Sequence, residues 1–258
     1  MTKSSRHSLT TARRWVLKIG SAILTDNGQG LSHDFITRLA GDVIALREQG
    51  REVIIVSSGA VAAGLARLGL ETRPSALDEL QAAAAVGQSS LVQAYEAAFA
   101  PSGYLCAQIL LSHDDVKSRD RYLNARATLQ TLLDKGVIPI VNENDTVVTD
   151  EIRFGDNDTL AALVANLIDA DVLLMLTDQQ GLFNADPRTA PDATLIQQSD
   201  AHDTSLDAMV SEGSALGRGG MVSKLRAARL AARSGALAVI ADGREAQVVR
   251  HIADGVET

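Results

Sequence analysis

Two lysines and one loop supply most of the chemistry visible in this chain of 258 residues. Lys18 follows the apolar run Trp15-Val16-Leu17 and precedes Gly20-Ser21, which puts an ammonium beside a glycine turn. Lys224 opens a helical stretch directly after the glycines of 217–220, and the N-terminal end of a helix favours anions. Ser58-Gly59 adds backbone N–H groups where a further strand runs into a helix. Residues 142–158, from Asn142-Glu143-Asn144-Asp145 to Gly155-Asp156-Asn157-Asp158, are crowded with Asp, Glu and Asn. Asn offers both donors and acceptors, which suits a small zwitterion; a merely solvated acidic loop is the plainer alternative. Anion-binding corners and a platform for a small zwitterion are the two chemistries these residues offer.

These groups need elements to hold them. The run Val137–Val141 reads as a strand into the acidic loop, and Leu160, Leu163, Val164, Leu167 and Ile168 read as a helix out of it. Strands are also expected at 15–19, 52–56, 104–111, 172–176 and 237–240. Helices are expected at 32–49, 77–100, 120–135, 159–169 and 224–233, with a small hairpin at 26–30 and a loop-rich stretch at 182–216. Strands alternating with helices at this spacing predict an α/β fold, a three-layer αβα sandwich around a mainly parallel open sheet. In such sheets ligands sit beyond the carboxyl ends of the strands, where the groups named above fall. One domain is expected at 14–258, with lobes at about 14–170 and 171–258. Residues 1–13 read as a flexible tail, and the chain as cytoplasmic.

Composition narrows the classes. Hydrophobic residues make up 46%, enough for a sizeable core, and a net charge of −8 argues against a nucleic-acid partner. No apolar run approaches membrane-spanning length. The single cysteine, Cys106, excludes an internal disulfide and a cysteine-based zinc site, and it reads as a core thiol. Neither a P-loop nor a G-x-G-x-x-G follows any strand, and protein-kinase motifs are absent.

Taken together, Val16-Leu17-Lys18-Ile19-Gly20-Ser21, Ile55-Val56-Ser57-Ser58-Gly59-Ala60, Ala84-Ala85-Val86-Gly87-Gln88 and Asn124-Ala125-Arg126 resemble the amino acid kinase family. So do Val141–Asp145, Gly155–Asp158, Leu176-Thr177-Asp178-Gln179, Ala185-Asp186-Pro187-Arg188 and Gly219-Gly220-Met221. The Asn-Glu-Asn-Asp and Gly-Asp-Asn-Asp pair is similar to the branch that phosphorylates the γ-carboxylate of glutamate. The resemblance covers the chain from about residue 14 almost to its end, without the RNA-modification-type (PUA) domain that many bacterial relatives append.

What the resemblance implies can be placed residue by residue. Lys18 and Lys224 would flank the transferring phosphoryl group, with Asp178 holding both lysines. Ser58, Asp145 and Asn157 would bind glutamate, with Asn142 and Asp156 beside them. ATP would be bound by Lys18, Thr177, Asp178, Arg218, Gly219, Gly220, Met221, Val222, Ser223 and Lys224. Arg218 departs from the small residue, commonly Thr, that stands there in relatives. Mg²⁺ would be carried mainly by the ATP phosphates rather than by a protein site. The resemblance also implies proline as feedback inhibitor, a homo-oligomer, and hand-over of product to glutamyl phosphate reductase. A related kinase for another acid or a nucleotide, and a non-catalytic binding module, stay open as alternatives.

Overall fold

The computed structural model describes residues 4–25, 30–147, 157–211 and 220–256. Six strands form its sheet: β1 (Arg14–Ile19), β2 (Glu52–Ser57), β3 (Cys106–Leu111), β4 (Ile138–Glu143), β5 (Val172–Thr177) and β6 (Leu237–Asp242). They lie in the order β3-β4-β2-β1-β5-β6, and every pairing is parallel. The αβα expectation therefore holds. Away from their ends the four inner strands are apolar, because helices cover both faces of the sheet.

Alternation along each strand sorts the core into two halves. Trp15, Leu17, Ile19, Val53, Ile55 and Leu174 meet Phe35, Leu39, Leu91, Tyr95 and Val249 on one face. Val16, Ile54, Val56, Leu173 and Met175 meet Leu129, Leu160, Val164 and Ala228 on the other. The first face is thus covered by the helices His33–Glu48, Leu77–Phe99 and Val248–Ala253, the second by Arg119–Asp134, Asn157–Leu167 and Met221–Ala232. Each fully buried Leu, Ile, Val or Phe contributes roughly 1.5–3 kcal/mol to that sandwich.

Several details differ from the sequence reading. The stretch expected as a flexible tail carries a helix, Ser4–Thr11. Leu9 packs against the main core, Ala12 enters it, and Arg51 donates to the Thr10 carbonyl at 3.2 Å, which ties the segment to the start of the central strand β2. The 182–216 stretch contains a helix, Ser205–Ser211, whose Leu206 and Val210 pack on Leu225. For the hairpin, the turn residues 26–29 lie outside the described residues, but Thr25 and Leu31 form an antiparallel bridge around them. Cys106 opens the edge strand β3 half-buried, and burial pushes its thiol up to about 12. No helix among the described residues is long and apolar enough to cross a membrane.

Chain direction decides where a site can form. From β1 the chain moves to β2 on one side, and after β4 it returns to β5 on the other side of β1. The carboxyl end of β1 therefore lies at the switch point, where crevices open in doubly wound sheets. Lys18 is the penultimate residue of β1, level with Val56 in β2 and Met175 in β5.

Candidate active site

Three helix or strand ends converge on one carboxylate at that switch point. Asp158 is the second residue of the Asn157–Leu167 helix, and Lys224 lies in the first turn of the Met221–Ala232 helix. Both helices pack side by side on one face of the sheet, so their first turns meet over the end of β1. Lys18 Nζ pairs with Asp158 Oδ1, while Lys224 Nζ stands 3.3 Å from Oδ2. Ser223 Oγ donates to the same Oδ2 at 2.6 Å. Asp158 is 0% exposed and each lysine 5%, so no bulk water screens the three charges. Burial alone would push the Asp158 carboxyl up. The two lysines and Ser223 outweigh that, and it stays below the usual carboxylate range.

This corrects the role expected for Asp178. Asp178 is exposed just past β5, its Oδ1 accepts from Thr177 Oγ1 at 3.1 Å, and its backbone carbonyl accepts from Arg244 Nη2 at 2.6 Å. The side chain that joins the lysines is Asp158. Lys18 and Lys224 are 206 positions apart, and nothing in their spacing reveals which acid they share. A usable signal existed: Asp158 leads directly into the apolar run Leu160–Val164, where burial would oblige an acid to find cationic partners.

On the β2–β4 side the expected acid-binding residues gather around buried amides. Asn157 Nδ2 donates to the Ser57 carbonyl at 2.9 Å, to Asn142 Oδ1 at 2.8 Å and to Ser58 Oγ at 3.2 Å. Gly59, after Ser58, has φ +95°, and a Cβ there would stand 2.9 Å from Leu24 Cδ2. Only glycine makes that turn into the Ala60–Arg67 helix without strain. Asp145 lies half-buried beyond β4. Burial raises its carboxyl to about 6, opposed by the Arg73 guanidinium. Asp156 lies outside the described residues, as do Arg218 and Gly219.

On the β5–β6 side, Thr177 closes β5 and its carbonyl accepts from Gly243 N at 2.8 Å. Arg244 holds Asp242 through Nε and Nη2 while bracing the Asp178 carbonyl, a clamp the sequence did not show. Gly220 precedes Met221, Val222 and Ser223 at the helix start that presents Lys224. Beside it opens a cleft of about 420 Å³ lined by Gln180, Gly181, Leu182, Met221 and Leu225 and running along β6. Two recognisable motifs prove to be scaffold. Arg126 Nη1 donates to the Leu167 carbonyl at 2.6 Å and so ends the Asn157–Leu167 helix, and Arg188 pairs with Asp186 inside one surface turn.

The fold and this constellation agree with what the chain is similar to. The model of the Amino acid kinase family matches residues 13–242. The chain belongs to the amino acid kinase family. It is 60% identical over 251 residues to the glutamate 5-kinase of Pseudomonas syringae pv. tomato, covering 97% of this chain and 68% of that protein. With the glutamate 5-kinase of Chromohalobacter salexigens it shares 60% over 252 residues, 98% of this chain and 67% of the relative. Among solved structures, UMP kinase from Ureaplasma parvum superposes with TM-score 0.67 at 15% identity, covering 95% of this chain and 96% of that one. Carbamate kinase from Giardia lamblia bound to AMP-PNP gives 0.66 at 16% identity, covering 96% and 98%. These structural likenesses carry the fold. In this family member, then, two buried lysines on one carboxylate lie beside a cluster of buried amides at the carboxyl ends of β2 and β4.

Proposed function

We propose that this chain is an ATP-dependent kinase of the γ-carboxylate of L-glutamate, forming L-glutamyl 5-phosphate and ADP in the first step of proline biosynthesis. The observation that carries the reading is the Lys18–Asp158–Lys224 cluster at the switch point, and the 60% identity to glutamate 5-kinases supports the substrate. A γ-carboxylate has a pKa of about 4.3, so at neutral pH it is already ionised and needs no general base. One of its oxygens attacks the γ-phosphorus, the new C–O–P link forms, and the bond to the β-phosphate oxygen breaks to release ADP. The protein's work is alignment and charge neutralisation. Lys18 and Lys224 offset repulsion between carboxylate and triphosphate, and Asp158 fixes where both ammonium groups point. Gly220 to Ser223 present a helix N-terminus to the phosphates. Thr177 and Asp178 border the nucleotide, and the cleft beside Met221 suits its flat base.

Asp145 would pair with the substrate ammonium, with Asn157, Asn142, Ser58 and Asp156 completing the acid pocket. This divides the chain into an acid-binding lobe at about 14–170 and a nucleotide-binding lobe at about 171–258. Mg²⁺ enters as part of the nucleotide substrate, carried mainly by the ATP phosphates. Proline shares glutamate's ammonium and carboxylate, which makes inhibition at an overlapping site part of the proposal. A cytoplasmic homo-oligomer that hands its product to glutamyl phosphate reductase completes it. The test is direct: protein, MgATP and L-glutamate should yield an acyl phosphate trapped by hydroxylamine as a hydroxamate. Equal or better turnover of aspartate, acetylglutamate or UMP would overturn the substrate.

A further inference from the structure

We infer that Gln88 is a positioning residue for the acid pocket, acting through a directional chain of amides that ends on Asn157; this rests on the proposed glutamate site. The direction is set by chemistry. The Ser57 carbonyl can only accept, so the Asn157 group facing it at 2.9 Å must be the amide nitrogen. That nitrogen also donates to Asn142 Oδ1 at 2.8 Å, which turns Asn142 Nδ2 the other way, onto Gln88 Oε1 at 2.8 Å. Gln88 Nε2 is then left buried with no partner among the described residues.

An orphaned buried donor costs about 1–3 kcal/mol, so a glutamine placed here for packing alone would be a poor solution. The acceptor is what the position supplies. Gln88 is 9% exposed, Asn142 2% and Asn157 6%, which leaves water little room to substitute for a lost amide bond. The consequence reaches the ligand. With its nitrogen committed to Ser57, Ser58 and Asn142, Asn157 has only its oxygen to offer, an acceptor suited to an ammonium group. Seven residues further along the same helix, Tyr95 OH stands 3.0 Å from Ser57 Oγ. The Leu77–Phe99 helix thereby reaches the ends of both β2 and β4, though it supplies none of the expected ligand contacts.

The experiment compares Gln88→Met, which keeps length but removes the acceptor, with Gln88→Glu, which keeps the acceptor and removes the orphan donor. Losing one neutral acceptor should raise KM for L-glutamate about tenfold in Gln88→Met, with KM for ATP and kcat within about twofold of wild type. Gln88→Glu should recover most of that loss. In ¹⁵N spectra of the ligand-free full chain, the Asn142 side-chain amide should shift and exchange faster in Gln88→Met. Parallel rises in both KM values, no recovery in Gln88→Glu, or an unmoved Asn142 signal would each overturn the inference. If the wild type fails to phosphorylate L-glutamate, the proposed function falls by itself, and the amide spectra still decide the role of Gln88.

Discussion

Asp158→Asn is the change whose outcome the structure specifies most sharply. The substitution keeps the shape of the side chain but removes the negative charge that two ammonium groups share inside the protein. Asp158 is 0% exposed and both lysines 5%, so the variant leaves two desolvated cations facing a neutral amide. Breaking a buried pair by removing one partner typically costs about 3–5 kcal/mol. The folded protein can lower that cost by letting one ammonium group turn away from the amide. Either response spoils the phosphoryl site, and loss of one such donor costs on the order of 10²–10³ in rate. The assay is kcat by coupled ADP release for Asp158→Asn, Lys224→Ala, Asp178→Asn and the Asp158→Asn/Lys224→Ala double variant. The first two should each lose that much, the double little more than either, because both act on one cluster. Asp178→Asn, whose side chain is exposed, should lose far less. Thermal unfolding supplies the second readout. The Asp158 carboxyl is held below its ordinary value of 3.8, so its stabilisation is present above that pH and lost as pH falls through the folded value. The gap in stability between wild type and Asp158→Asn should therefore close in acid. Fully multiplying losses in the double variant, or an equal loss in Asp178→Asn, would refute this account of the lysines.

Further expectations concern the acid pocket and its frame. Asp145→Ala should raise KM for glutamate by roughly 2–5 kcal/mol of binding while sparing KM for ATP, since it removes the charged partner of the substrate ammonium. Because burial lifts Asp145 to about 6, KM for glutamate should be flat above pH 7 and climb about tenfold per unit well below pH 6. A carboxyl raised in the fold takes protons more readily than in the unfolded chain, so Asp145's contribution to stability should fall as pH rises from 3.8 towards 6. In Asp145→Ala that slope should vanish. Gly87→Ala should destabilise by roughly 1–3 kcal/mol or more, because its Cβ would lie 1.8 Å from the Ala60 carbonyl oxygen where two helices cross. A melting temperature within a degree of wild type would show that the crossing yields.

The sequence by itself determined the layers and the places where chemistry gathers. Apolar runs such as Val53–Val56 and Val172–Leu176 could be satisfied only by strands covered on both faces, and that forces helices on either side of a parallel sheet. Parallel strands then bring Lys18, Ser58, Asn142 and Thr177 to one edge, because the chain always enters the sheet from the same end. Local rules also announced the glycine turn at Gly59 and the helix that bears Lys224, although it begins three residues earlier than the expected 224, at Met221. Tertiary structure decided the partnerships. Asp158, not Asp178, joins the lysines because the helices after β4 and before β6 pack together on one face, and no spacing along the chain encodes that neighbour. Gln88 stood in a stretch that carries the family resemblance but had no role until its helix was laid under β2 and β4, where its amide meets Asn142. Ser4–Thr11 had too little apolar content to announce a docked helix, and only the packed position of Leu9 and Ala12 shows what it covers. Contacts between residues close in sequence follow from local preference, whereas the partner of a buried charge is chosen by whichever distant elements the core brings beside it.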